Sequence, residues 1–277
     1  MAAMASPLVH AQSAKDILQK SADYMKSLPG YTADFELFFD AKIDDQEEKF
    51  STDYTVVFRR PGEAMVHMAN DVQDLTQYTT ETETVRYLAE VDQYIVEQRG
   101  TPPPALMTSA SNNIIMPAVS IFAETLQADP FIVFLRGADP IEMVGQETVN
   151  GVECDRIRIT TPNFDCDLWI DRGKESLIHR IQPDMSGITV NLEAQGTEVH
   201  KFIVQLDVLH WQPGHIDESL LKFSPKEGSM KVAQFHRPPP PAPAEVLVGK
   251  VAPTVDLKTL AGEDFSVASK KGEEIVV

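Results

Sequence analysis

Cysteine is almost absent: Cys154 and Cys166 are the only two, too few for a disulfide scaffold and without the spacing of a metal centre. No apolar run approaches the roughly 20 residues of a membrane-crossing helix, so no such span is expected. Basic residues are scarce as well. The chain sets 24 Lys and Arg against 42 Asp and Glu, for a formal net charge of −18. That balance lacks the basic face demanded by nucleic acid or an anionic membrane, and reads as a solvated acidic exterior. The histidines His67, His179, His200, His210, His215 and His236 lack the spacing of a metal-binding helix, and no local nucleophile signature appears. The acidic clusters Asp44-Asp45 with Glu47-Glu48, and Asp165, Asp167 and Asp171, have neither the spacing nor the glycine of a calcium loop. No catalytic residue, metal or cofactor is therefore expected from the residues themselves.

Apolar residues make up 43% of the 277, enough for a substantial core. Residues 1–9 are small and apolar, and Val9-His10-Ala11 before Gln12-Ser13 has the look of a secretory cleavage site, so 1–12 reads as the tail of an export signal. A ragged cytosolic N-terminus is the alternative. Export implies an oxidising compartment such as the bacterial periplasm. Near the other end, Pro238-Pro239-Pro240-Pro241 and Pro243 favour an extended spacer without backbone donors. The expected division is a signal remnant (1–12), a large domain (13–235), a Pro-rich linker (236–246) and the opening of a second module (247–277).

In residues 13–28, Ile17, Leu18, Tyr24, Met25 and Leu28 recur at three- and four-residue steps behind Ser13 as N-cap, which predicts an amphipathic helix. The period then falls to two. Tyr31, Ala33, Phe35, Leu37 and Phe39 share one face of a strand, and further strands are expected at 50–58, 63–69, 72–79, 84–89 and 93–98. An apolar insertion, helical by pattern at 114–127 and 130–136, precedes strands at 141–149, 152–160, 164–171, 177–182, 188–194 and 199–211. A helical turn at 216–221 and a strand segment around Phe223 follow. Asn150-Gly151 predicts a type I′ hairpin turn. A turn at Pro162-Asn163 sets Ile159 against Cys166, Ile157 against Leu168, Arg158 against Asp167 and Arg156 against Trp169. Cys166 then faces the core and Cys154 the other side, as two free thiols. The class is mainly β: a large antiparallel sheet that must curl to close its edges.

Four segments carry a resemblance: Tyr31-Thr-Ala-Asp-Phe-Glu-Leu, Val57-Phe-Arg-Arg-Pro-Gly-Glu, Val149-Asn-Gly-Val-Glu-Cys-Asp-Arg-Ile and Asp167-Leu-Trp-Ile-Asp. With the order of elements, they make residues 13–235 similar to the LolA-type lipoprotein carriers; the last two are also similar to predicted periplasmic proteins related to LolA. The resemblance implies a half-open β-barrel covered by α-helices that lid an apolar cavity for a lipid or lipoprotein acyl chain. The lining candidates are Phe35, Leu37, Phe39 and Phe58 from the sheet, with Ile115, Ile121, Phe122, Leu126, Phe131 and Phe134 from the insertion. A filled core without a ligand is the competing reading of the same residues.

Beyond the linker, Gly249-Lys-Val-Ala-Pro-Thr-Val-Asp-Leu resembles the start of thioredoxin-like domains of the TlpA and peroxiredoxin kind. That resemblance implies a small strand pair and a redox cysteine expected past Val277. The expected function is an exported apolar-ligand carrier or sensor tethered to a redox module with its own redox partner. The rival is a thiol–disulfide oxidoreductase or peroxidase that the β domain localises or presents.

Overall fold

The computed structural model describes residues 13–98, 129–137, 140–160 and 165–237, and the backbone of 256–258 and 264–266. The chain divides into two compact units, Met1–Phe235 and His236–Val277.

The first element is α1 (Ala14–Ser27), opened by a reciprocal capping box: the Ser13 hydroxyl accepts from the Asp16 N–H, and the Asp16 carboxylate accepts from the Ser13 N–H. Ile17, Leu18, Ala22 and Met25 form its buried stripe. At the other end Arg60 donates to the carbonyls of Met25 (2.6 Å) and Leu28 (3.1 Å), adding to the long cap bond (3.4 Å) that the Leu28 N–H gives Met25. The Arg-Pro-Gly turn thus holds the cation that closes α1. Gly30 follows at a point of close approach, where a Cβ would lie 2.5 Å from the Phe58 carbonyl oxygen.

A first meander comprises β1 (Gly30–Ile43), β2 (Gln46–Arg59), β3 (Glu63–Ala69), β4 (Asp74–Thr79), β5 (Glu83–Leu88) and β6 (Gln93–Gln98). After α2 (Ile132–Gly137), a second comprises β7 (Ile141–Val149), β8 (Val152–Thr160), β9 (Asp165–Asp171), β10 (Ile178–Pro183) and β11 (Val199–Pro213), with α3 (Ser186–Ala194) between the last two. The meanders join where β1 pairs antiparallel with β11 from Tyr31–Pro213 to Ile43–Val199. With β12 (Met230–Lys231) they form one curved, open, 12-stranded sheet in the order β12-β6-β5-β4-β3-β2-β1-β11-β10-β9-β8-β7. The mainly β class is as expected.

Local chemistry accounts for the turns and registers. Asn150 (φ 49°) and Gly151 (φ 84°) both take the left-handed conformation of a type I′ turn. The β8–β9 register pairs Ile159 with Cys166, Ile157 with Leu168, Arg158 with Asp167 and Arg156 with Trp169, as the parity argument requires. The Pro162-Asn163 turn itself lies outside the described residues, as do the expected helix at 114–127 and the run Pro238–Pro241.

Three expectations need correction. Residues 188–194 alternate like a strand, yet they belong to α3. There the Asp184 carboxylate accepts from the Ser186 N–H, and the Ile188 and Thr189 N–H groups both donate to the Met185 carbonyl, starting a helix before a strand can pair. The strand expected from Val72 begins at Asp74, because the Asn70 side chain accepts from the Val72 and Gln73 N–H groups in a tight turn. No strand forms at Phe223; that ring packs on Tyr78, Tyr87 and Tyr94, centroids 5.1–5.7 Å away. Phe223 belongs to a strap that begins with Ile216 and Leu221 against Val57 and ends in β12, parallel to β6.

In the second unit, β13 (Asp256–Lys258) pairs antiparallel with β14 (Asp264–Ser266).

Candidate functional site

Alternation along β1 turns Tyr31, Ala33, Phe35, Leu37 and Phe39 to the concave face, where α1 contributes Leu18 and Met25 and β11 contributes Leu206 and Val208 to a single apolar core. Phe131 belongs to the same core and is fully buried (0% exposed). Where Phe131 and α1 meet the sheet there is an apolar cavity of about 20 Å³, walled by Met25, Phe35, Phe131, Ile178, Val208 and Trp211 among others. It has room for about one water-sized sphere. The bulky Phe131 takes φ 58°, a left-handed conformation that costs of order 1–3 kcal/mol unless its surroundings hold it there.

Of the candidate lining residues, Phe35, Leu37, Phe39, Phe58 and Phe131 all lie in this core. Only Phe35 and Phe131 reach the cavity. Phe39 instead stacks on Phe50 (4.8 Å) and meets Phe202 edge-on (5.6 Å), while Phe58 packs on Tyr31 (5.2 Å). Ile115, Ile121, Phe122 and Leu126 lie outside the described residues, and Phe134 falls within α2. Sequence reasoning overlooked Met25, Ile178, Val208 and Trp211, although the same alternation applied to β10 and β11 points to Ile178 and Val208. Trp211 stacks on Tyr31 (4.2 Å) and donates from Nε1 to the Tyr24 hydroxyl (3.3 Å), forming a polar rim. Outside the cavity, a polar groove of about 420 Å³ separates α1 from residues 129–136, bridged by an exposed ion pair between Lys26 and Asp129.

The convex face of the second meander carries a charged layer. Asp167, with only 5% of its side chain exposed, accepts from Nε and Nη2 of Arg156 and from Nε and Nη2 of Arg158. Burial opposes its charge, but the hydrogen bonds from Arg158 and Arg156 outweigh burial and hold its pKa below the ordinary carboxylate value. Arg156 also bonds Glu147 (2.8 Å), which accepts from Trp169 Nε1 (2.9 Å). The guanidinium groups of Arg156 and Arg180 lie 4.8 and 5.7 Å from the Trp169 ring centroid, and Arg180 holds Asp207 through two bonds of 2.7 Å. Every member is answered by another, which is the pattern of a stabilising layer.

Cys154 and Cys166 are both free and buried, on opposite faces. Burial, with the Asp171 and Asp155 carboxylates, pushes the Cys154 thiol up to about 11, and burial pushes Cys166 further up. Neither presents a thiolate for chemistry near neutral pH. Among the described residues, no group of three or more His, Cys, Asp or Glu is placed to hold a metal ion.

Fold and site together define a mainly β domain with an open curved sheet and an apolar concave core. The chain belongs to the family described as predicted periplasmic protein (DUF2092), whose profile matches residues 14–233. Its compartment is the periplasm. No helix among the described residues is long and apolar enough to cross a membrane. No curated protein matches the sequence. Among solved structures, the chain is similar to an uncharacterised conserved protein from Thermus thermophilus, at 13% identity and TM-score 0.43 over 79% of this chain and 98% of that one. It is similar to a LolA superfamily protein from Nitrosomonas europaea, at 8% identity and TM-score 0.35 over 77% and 99%. A third likeness is to the Pseudomonas aeruginosa MucA/MucB complex structure, at 11% identity and TM-score 0.41 over 91% and 73%.

Proposed function

We propose that residues 13–235 form a carrier or sensor domain for an apolar ligand, an acyl chain, taken up on the concave face beneath α1 and Phe131. The observation that carries this reading is the apolar cavity walled by a phenylalanine in the left-handed conformation. As it stands, the cavity is too small for a chain, so uptake requires the Phe131 ring to leave. That movement also relieves its backbone, and each methylene entering from water contributes about 0.8 kcal/mol before ordering costs. Phe35, Leu37, Phe39 and Phe58 then form the floor on which the chain lies.

The test is titration of delipidated protein with a fluorescent fatty acid. Saturable binding is expected, strengthened in Phe131→Ala, where the ring's volume is already empty. If neither protein binds saturably, the core is a filled structural one and the proposal fails.

A second reading, a tethered thioredoxin-like module behind a linker at 236–246, rests on the sequence resemblance. The pair β13–β14 is compatible with it and equally with other folds. Reading the coding frame onward from Val277 tests it: a Cys-x-x-Cys or a lone cysteine at a helix head supports an oxidoreductase or peroxidase with its own redox partner, and neither removes that reading.

A further inference from the structure

The strand β7 ends the sheet order, with no described strand beyond it. A free edge is a row of unpaired N–H and C=O groups, which proteins guard with lysine, proline, short strands or bulges. β7 is 9 residues long and contains neither lysine nor proline; a bulge lies between Met143 and Gly145, and α1 packs beside the strand. Val149 and Val152 flank a two-residue turn and pair with each other, so the main-chain groups of Gln146 and Thr148 turn away from β8. Met143 and Val144 are 43% and 46% exposed, an apolar pair in the middle of the edge.

Charge selects the occupant. Glu142 adjoins the apolar pair and Glu153 is exposed opposite Thr148, while β7 itself has no basic residue; Glu147 is already held by Arg156 and Trp169 and takes no part. A second copy of this chain brings its own net charge of −18 and meets like with like. We propose that β7 is a docking edge for an extended basic segment of a partner protein, added antiparallel as a further strand. Its main chain pairs with Gln146 and Thr148, its apolar side chains cover Met143 and Val144, and its lysines or arginines face Glu142 and Glu153.

The test uses the full chain and a short labelled peptide that alternates lysine with valine. Saturable binding is expected, together with slowed hydrogen exchange at the Gln146 and Thr148 amides. Gln146→Pro removes an outward donor while leaving the ladder to β8, and it weakens binding about tenfold, as expected for one main-chain hydrogen bond left unmade. Glu142→Gln, which removes the charge without setting a second cation opposite Arg158, weakens binding similarly, and a peptide with glutamate in place of lysine does not bind. Equal binding to wild type and both variants, or binding without protection in β7, overturns the proposal as general charge attraction. Protection at Gln146 and Thr148 that rises with protein concentration in the absence of peptide assigns the edge to a second copy and also overturns it. Fatty-acid binding on the concave face is read separately and does not bear on either outcome.

Discussion

Asp167 shows how a carboxylate survives inside a sheet: its charge is answered by two guanidinium groups across the strand pair. Its pKa lies below the unfolded value, so its stabilisation is complete above about pH 4 and drains away as the pH falls through the lower folded-state value. Asp167→Asn is expected to cost about 1.5–3 kcal/mol at neutral pH. In urea unfolding at stepped pH, wild type and variant should converge only in acid. The Arg158–Asp167 pairing was legible in the sequence because the hairpin fixed its register. The link from Arg156 to Glu147 and the Arg180–Asp207 pair were not, since they depend on how β7 and β11 sit beside that hairpin. The cysteines make a second test at this scale. A thiol reagent is expected to leave Cys154 and Cys166 unmodified in the native protein and to label both in denaturant, because burial keeps each thiol protonated and covered.

The helix α1 is held at both ends by contacts that its own hydrogen-bond ladder does not supply. Ser13→Ala removes the N-terminal box and is expected to cost about 1 kcal/mol. Arg60→Ala takes the side-chain donor from the Leu28 carbonyl and leaves Met25 with the long cap bond from the Leu28 N–H, and is expected to cost about 1–2 kcal/mol; Arg60→Lys recovers part of it, since a lysine supplies charge without the planar fork. Thermal unfolding of the three variants checks both values. The start of α1 could be read from Ser13 and its three-residue spacing to Asp16. Its C-terminal cation could not, because Arg60 reaches it from a turn two strands away. Residues 188–194 show the opposite failure. Ile188, Val190, Leu192 and Ala194 keep a strand's period, but the segment is a short, largely exposed helix, where period carries little information because few side chains choose a face.

For the whole molecule, the strap from Ile216 to β12 covers part of the convex face of the first meander. A chain ending at Phe235 is expected to melt where the full chain does, whereas one ending at Pro213 should melt lower, with Val57, Tyr78, Tyr87 and Tyr94 stripped of cover. Differential scanning calorimetry of the two truncations decides this. Strand number and class were visible from alternation and turns, but the strap was not, because Phe223 finds its partners on three separate strands. The pairing of β1 with β11 was also invisible to local pattern, yet it joins the two meanders and sets the order in which the molecule can be made. A chain delivered to the periplasm from its N-terminus exposes β1 early and β11 late. Until Val199–Pro213 arrives, Phe35, Leu37 and Phe39 belong to a long strand with one open side. The completed sheet hides that edge, but every newly exported copy must pass through the stage at which it is bare. Assembly is therefore slow and exposed to capture by other chains.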